Sequence, residues 1–369
     1  MPGHAVFLEC YPHVRGGAQA TTTALATGLA TRGWTTEVVA PAGGDAIDSY
    51  RSAGIATTVL VAPPALLRYG GVHGTGNRIA AGVALPRWWL RLAHHLRAAN
   101  AALLDVVDQR GIVLGAPAAA RARARGVWHV HTPGPASRID RFGRRWARAC
   151  IAPSTAASGG LGPGAVVIPP ALPEGIVALR PSFGAPAPRI VTAGRLHPVK
   201  GFDVLLDALA LLRPRLPGSS LDIYGAAQVG HDEHAKSLDA QTQRLGLEDV
   251  VRFHGHRSCP WSEWDDATVY VQPSREEPFG MALIEAMACG LPVVATRVAG
   301  PSEIVDDGRT GLLVEPGDAA ALAVAIERIV REPELARELA RAGQAHVLAT
   351  YTAERLVERT AAVFERAIA

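Results

Sequence analysis

Two glutamates, Glu277 and Glu285, stand with seven residues between them in "EEPFGMALIEAMACGLPVVAT", residues 276–296. Pro278 disfavours helical backbone at Glu277, Gly280 permits a tight turn, and "MALIEAMA" has helix-forming composition. Gly290 fits the position just past a helix end, Pro292 forbids continuation, and "PVVAT" reads as a short buried strand. Glu277 is therefore expected in a loop, and Glu285 in the second turn of a helix whose N-terminus faces that loop. Carboxylates accept hydrogen bonds from hydroxyl groups, and the unpaired N–H groups of a helix start attract an anion. The combination predicts a ligand that carries both phosphate and polyol.

Three further loops hold residues of the right kind. In "GRLHPVKGFD" (194–203) Arg195 and Lys200 flank a strand-to-helix turn, where two cations can clamp a diphosphate. The spacing is not that of a Walker loop. In "YPHVRGGAQ" (11–19) Gly16 and Gly17 let the backbone approach a ligand before a helix begins, although a Gly-Gly pair is as often a plain turn. In "WHVHTPGP" (128–135) strand alternation points His129 and His131 the same way, with Pro133 ending the strand. A histidine at the C-terminal edge of a parallel sheet is a candidate for chemistry. Two histidines without a nearby third ligand make a poor metal site, and no D-x-D element follows a strand, so neither a metal nor a cofactor is expected. "GGLGPGA" (159–165) lacks the acidic partner of a dinucleotide fingerprint and contains Pro163, so it is set aside.

The elements that position these loops alternate. "AVFLEC", "TEVVAP", "ALLDVVD", "GVWHVH" and "ACIAPS" read as strands separated by helical segments, the first helix running from about Ala18 to Thr31. A second series comprises "RIVTAG", the helix "FDVLLDALALL", "SLDIYG", the helix "HAKSLDAQTQRLG", "VVRFHG" and "VYVQPS". This is the β-α-β alternation of parallel, doubly wound sheets. The Pro- and Ala-rich stretch 171–188 reads as the linker. The expected division is a first domain over 1–175, a second over 176–345, and a closing amphipathic segment over 346–369 with Leu356, Thr360, Val363 and Phe364 on one side. Two such α/β domains facing each other would bring loops of both sheets to a central cleft.

The bulk numbers fit a soluble two-domain chain: 369 residues, 48% hydrophobic, 19% charged. A net charge of +3 is too mild to argue for nucleic acid. Cys10, Cys150, Cys259 and Cys289 are scattered and read as reduced thiols. No leader-like segment and no uncharged apolar run near 18 residues is evident, so a cytoplasmic protein is expected.

Taken together, these motifs resemble the retaining glycosyltransferases of the GT-B fold, glycosyltransferase family 4 in particular. "EEPFGMALIEAMACGLPVVAT" is similar to that family's E-x7-E element, "GRLHPVKG" to its diphosphate loop and "GGAQ" to its N-terminal glycine loop. "VRFHGHR" and "VAGPSEIVDDGRTGLLVEPGD" lie at the expected intervals. The resemblance implies a nucleotide-sugar donor, expected to be a UDP-sugar with GDP-mannose as the alternative, held mainly by the second domain. It implies that Glu285 binds the ribose hydroxyls and Glu277 a hydroxyl of the sugar. Phe279, Gly280, Met281, Ala282 and Leu283 would contact sugar and phosphate, Arg195 and Lys200 the diphosphate, and the backbone near His256 the base. His131 matches the family's cleft histidine near the anomeric carbon, and the last helix the segment that crosses back to the first domain. "VIPPALPEG" and "YGAA" (224–227) depart from the family's usual glycine-bearing turns.

Two classes of function compete: a nucleotide-dependent dehydrogenase, for which the glycine fingerprint is lacking, and a non-catalytic sugar-nucleotide sensor, against which Glu277, Lys200, Arg195 and His131 argue. The acceptor is expected to be a hydroxylated small molecule or glycan bound by the first domain. Tyr69, His73 and Asn77 in the glycine-rich loop "RYGGVHGTGNR" (68–78) are its candidate contacts. Eight arginines between 121 and 148, and a helix carrying Trp88 and Trp89 opposite Arg87 and Arg91, leave open a peripheral membrane contact. The oligomeric state has no signature in the sequence.

Overall fold

The computed structural model describes residues 3–13, 16–67, 78–131, 138–162, 164–227 and 232–369. They form two compact units, one comprising Met1–Ala171 with Thr352–Ala369, the other Leu172–Tyr351. The acceptor-loop residues Tyr69, His73 and Asn77 lie outside the described residues.

The first unit is built on seven strands: β1 His4–Leu8, β2 Thr35–Ala40, β3 Ala56–Val59, β4 Ala101–Val107, β5 Arg125–His129, β6 Ala149–Ala152 and β7 Val166–Val167. All pair in parallel, in the order β3-β2-β1-β4-β5-β6-β7. The chain starts in the middle, winds outward to β3, then returns to β4 beside β1. The strand order therefore reverses between β1 and β4, which opens a crevice at their C-terminal ends. Burial on both faces suits the apolar runs of the central strands, with Val6, Leu8, Leu104 and Val106 in one layer and Ala5, Phe7, Leu103 and Val127 in the other.

The second unit repeats the plan with β8 Arg189–Ala193, β9 Ser220–Tyr224, β10 Val251–Gly255, β11 Val269–Gln272, β12 Val293–Thr296 and β13 Leu312–Val314. Its parallel order is β10-β9-β8-β11-β12-β13. Here the reversal falls between β8 and β11. The loop bearing Arg195 and Lys200 leaves β8, and the loop bearing Glu277 leaves β11, so the winding brings both motifs to one crevice.

The boundaries follow packing rather than composition. Of the stretch 171–188, the part after Ala171 belongs to the second unit: Leu172 N–H donates to Tyr351 O and Leu179 N–H to Cys289 O, while Leu172, Ile176 and Leu179 cover the core beside the Met281–Ala288 helix. The return to the first unit falls at Thr352, not near 345, because Pro333–Thr350 is one unbroken helix. Thr352 then caps the Ala353–Ile368 helix. Its Leu356, Thr360, Val363 and Phe364 are all buried. The Phe364 ring sits 6.2 Å from Phe7 and 5.8 Å from Trp34.

Trp88 is a core residue, and half-buried Trp89 packs against the same core. Their indole N–H groups donate to Leu114 O at 2.9 Å and Val113 O at 3.0 Å, which ties the Arg78–Ala98 helix to the Asp108–Ala122 helix. Among the described residues no helix is long and apolar enough to cross a membrane. None of their His, Cys, Asp and Glu side chains gather in threes that could hold a metal ion.

Candidate active site

Glu277 is 8% exposed, in the loop after β11. Its Oε2 accepts from Lys200 Nζ at 2.5 Å, Gln272 Nε2 at 2.7 Å and Ser274 Oγ at 3.4 Å. Gln272 is itself oriented by the Tyr270 hydroxyl, which donates to its Oε1 at 3.1 Å. One oxygen of Glu277 thus takes three donors, and no described residue donates to Oε1. The carboxylate is fixed in place with one oxygen available to a ligand hydroxyl.

The loop then reaches Gly280, whose φ of 120° excludes side chains and turns the chain into the Met281–Ala288 helix. The first helical N–H groups, those of Met281 and Ala282, have no intrahelical acceptor. The loop rests on the Ala299–Ile304 helix, where Gly300 N–H donates to Glu277 O at 3.0 Å. A Cβ at Gly300 would lie 1.9 Å from Phe279 O, so only glycine lets the two segments touch. Phe279 packs edge-on against Tyr351 at 5.4 Å, whereas Leu283 is wholly inside the core.

Glu285, two turns from Glu277 along this path, is 9% exposed and accepts no hydrogen bond on its carboxylate from the described residues. Burial alone pushes its pKa up to about 7. The two glutamates therefore differ in kind: Glu277 is held by donors from its own unit, and Glu285 is buried without any.

Arg195 and Lys200 also differ. Lys200 is spent on Glu277, while Arg195 is exposed between β8 and the turn Pro198–Lys200. His256 is exposed just past β10, and the ordered histidine nearby is His254, bound to Asp222 at 2.7 Å and stacked on Tyr224 at 4.4 Å.

In the first unit the expected strand through His131 stops at His129, because Asp108 Oδ1 captures the His131 N–H at 2.8 Å. Asp108 sits at a left-handed φ of 52°, backbone strain of the kind that gathers at functional sites. The His129 and His131 rings are stacked at 6.1 Å, so the alternation argument holds across the strand end. His129 Nδ1 meets the buried Asp105 carboxylate at 2.8 Å. Burial lowers the pKa of His131, and the nearby charge of Asp108 opposes that shift. Gly16 is extended at φ 177°, a conformation open to any residue. A Cβ there would meet nothing closer than Gln19 Oε1 at 3.7 Å, so the room around it is not required by the fold.

Sequence reasoning missed the residues that hold these groups. Gln272 and Ser274 restrain Glu277. Glu9, at the end of β1, fixes the next loop, accepting from Tyr11 N–H at 2.7 Å, the Tyr50 hydroxyl at 2.9 Å and Gln19 Nε2 at 3.4 Å. Polar residues ending otherwise apolar strands were the available signal.

Residues 15–160 match Glycosyltransferase Family 4, and residues 181–346 match Glycosyl transferases group 1. Each half of the chain thus matches a glycosyltransferase model. D-inositol 3-phosphate glycosyltransferase of Arthrobacter sp. (strain FB24) is 41% identical over 173 residues, 45% of this chain and 40% of that protein. The match thus spans well under half of that curated relative. HepE (Alr3699) of Anabaena, crystallised with UDP and glucose, has a TM-score of 0.83 at 25% identity over 98% of this chain and 99% of its own. Sucrose-phosphate synthase of Thermosynechococcus elongatus has a TM-score of 0.81 at 23% identity, covering 99% of this chain and 98% of its own. The two parallel, Rossmann-like sheets of this chain are those of the GT-B fold.

Proposed function

We propose that this protein transfers a sugar from a nucleoside diphosphate sugar, a UDP-sugar first, to a hydroxyl of a small polar or glycan acceptor, with retention of anomeric configuration and without a metal. The observation that carries this reading is the contrast at the β8–β11 crevice: Glu277 held with one oxygen presented, Glu285 buried with no donor of its own. Ribose hydroxyls donate to Glu285 and relieve its unpaired burial. A sugar hydroxyl donates to Glu277 Oε1. The diphosphate takes the Met281 and Ala282 N–H groups together with Arg195, and Lys200, already beside Glu277, adds positive charge. Glycosyl transfer passes through an oxocarbenium-like state, so stabilising the departing diphosphate supplies much of the catalysis. His131, whose pKa burial lowers, belongs to the acceptor side, where a hydrogen-bonding imidazole orients a hydroxyl. Two facts about similar proteins support the reading: HepE was crystallised with UDP and glucose, and the Arthrobacter relative is a glycosyltransferase by name.

The test is transfer from a panel of nucleoside diphosphate sugars to polyol acceptors in EDTA, with the product linkage read by NMR. Retained configuration and full activity in EDTA are expected. Inversion, or activity restored only by Mg²⁺ or Mn²⁺, would refute the corresponding part.

A further inference from the structure

Residues 87–148 carry twelve arginines, no lysine and three aspartates, an excess of nine positive charges in a chain whose total is +3. All three aspartates are turned inward: Asp105 meets His129, Asp108 holds the His131 N–H, and Asp140 accepts from Gln109 Nε2 at 2.9 Å. The Arg138–Trp146 helix shows how the charge is displayed. Ile139, Asp140 and Gly143 face the protein, and a Cβ at Gly143 would lie 3.0 Å from the Trp128 ring. At about 100° per residue, Arg138, Arg141, Phe142 and Arg145 share one stripe about 100° wide. All four are exposed, Phe142 to 51%.

The strip continues past the helix end. Arg148 N–H donates to Gly126 O, which sets exposed Arg148 beside exposed Arg125 at the starts of β6 and β5. None of these five arginines has a carboxylate partner among the described residues. Gly16, Asp108 and His131 follow the C-terminal ends of β1, β4 and β5 in the same parallel sheet, so a partner seated on the strand starts leaves those loops uncovered.

We infer that this strip docks on a membrane surface carrying anionic headgroups. Unpaired arginines supply the electrostatic attraction, and Phe142 among them gives an apolar body to the headgroup–acyl boundary. The acidic partners that would neutralise a solvated protein face are absent from the strip. Trp88 and Trp89, the aromatic pair that reads from sequence as the membrane element, are engaged elsewhere: Trp88 is buried, and half-buried Trp89 packs against the same core with its indole N–H on Val113 O.

The experiment is co-sedimentation of the full chain with phosphatidylcholine vesicles, with and without phosphatidylglycerol, at low and high salt. Binding is expected only with phosphatidylglycerol, weakened by salt. Replacing Arg141 and Arg145 together by alanine should weaken partitioning about 25-fold, at about fivefold per arginine, and Phe142→Ser should weaken it further. Arg297→Ala, which removes an exposed arginine paired with Asp307, should leave it unchanged. Thermal melts check that each variant is folded, and Arg125→Ala with Arg148→Ala gives a second, independent loss. Equal binding to vesicles lacking phosphatidylglycerol, no binding to either, or indifference to both arginine pairs overturns the inference. So does an oligonucleotide that binds the strip and strips the protein from vesicles, which would make it a nucleic-acid surface.

Discussion

Replacing Glu285 by glutamine should stabilise the empty protein while weakening its hold on a nucleotide. The carboxyl has its pKa raised from 4.5 to about 7 by burial. A raised pKa means that the folded state binds the proton more tightly than the unfolded state. Between these two values the unfolded chain releases its proton first, so stability falls as pH rises. A shift of 2.5 units at 1.36 kcal/mol each costs about 3 kcal/mol above pH 7 and about 1 kcal/mol at pH 5. Glutamine keeps the shape and cannot ionise, so it should recover this amount. In a unit of this size about 3 kcal/mol corresponds to roughly 6–12 °C in melting temperature. The assay is paired thermal melts of wild type and Glu285→Gln at pH 5 and pH 8 without ligand. The gain should be small at pH 5 and several-fold larger at pH 8, while calorimetry shows UDP binding more weakly to the variant. A melting difference that does not change with pH, or UDP affinity equal to wild type, would refute the reasoning.

Lys200→Ala should reduce kcat/KM about 100-fold or more and lower the melting temperature, because it leaves Glu277 buried beside Gln272 without its cation. Steady-state kinetics and a melt check both, and wild-type values would remove Lys200 from the site. Gly300→Ala should cost about 100-fold in kcat/KM, since a Cβ 1.9 Å from Phe279 O displaces the Glu277 loop by the order of an ångström. Unchanged UDP affinity and turnover would show that the loop yields without consequence. Phe364→Ala should destabilise the first unit by about 3–5 kcal/mol through a cavity against Phe7 and Trp34, with UDP binding by the second unit little affected. Urea denaturation followed by tryptophan fluorescence measures it, and a loss below about 1 kcal/mol would contradict the packing.

What the sequence made legible was local. The Phe202–Leu212 helix appears with the limits its apolar spacing predicts, and the Met281–Ala288 helix lies where Gly280 and Gly290 punctuate the chain. Glu277 and Glu285 were found by spacing because eight positions cover the Pro278–Gly280 turn and the first turn of the following helix. Their difference was hidden, since Lys200 and Glu277 are 77 positions apart and only the β8–β11 pairing joins them. Gln272 was hidden for another reason: a glutamine ending a strand looks the same whether it faces solvent or a carboxylate. The Trp88–Trp89 helix shows the converse limit. Its amphipathic pattern is plain, but the pattern does not say whether the apolar side meets lipid or the Asp108–Ala122 helix.

The placement of the last helix has a consequence for synthesis. The second unit is one continuous stretch, whereas the first is completed only by Thr352–Ala369. On the ribosome, therefore, the half made first finishes last. The second unit can close its core around β8 and β11 while the first still exposes Phe7, Trp34 and the face of the Gly17–Ala30 helix that Val357 will cover. Domains generally fold in the order they emerge. In this chain that order is inverted, and the interval during which Phe7 and Trp34 wait for Phe364 is when a chaperone would find the most apolar surface to hold.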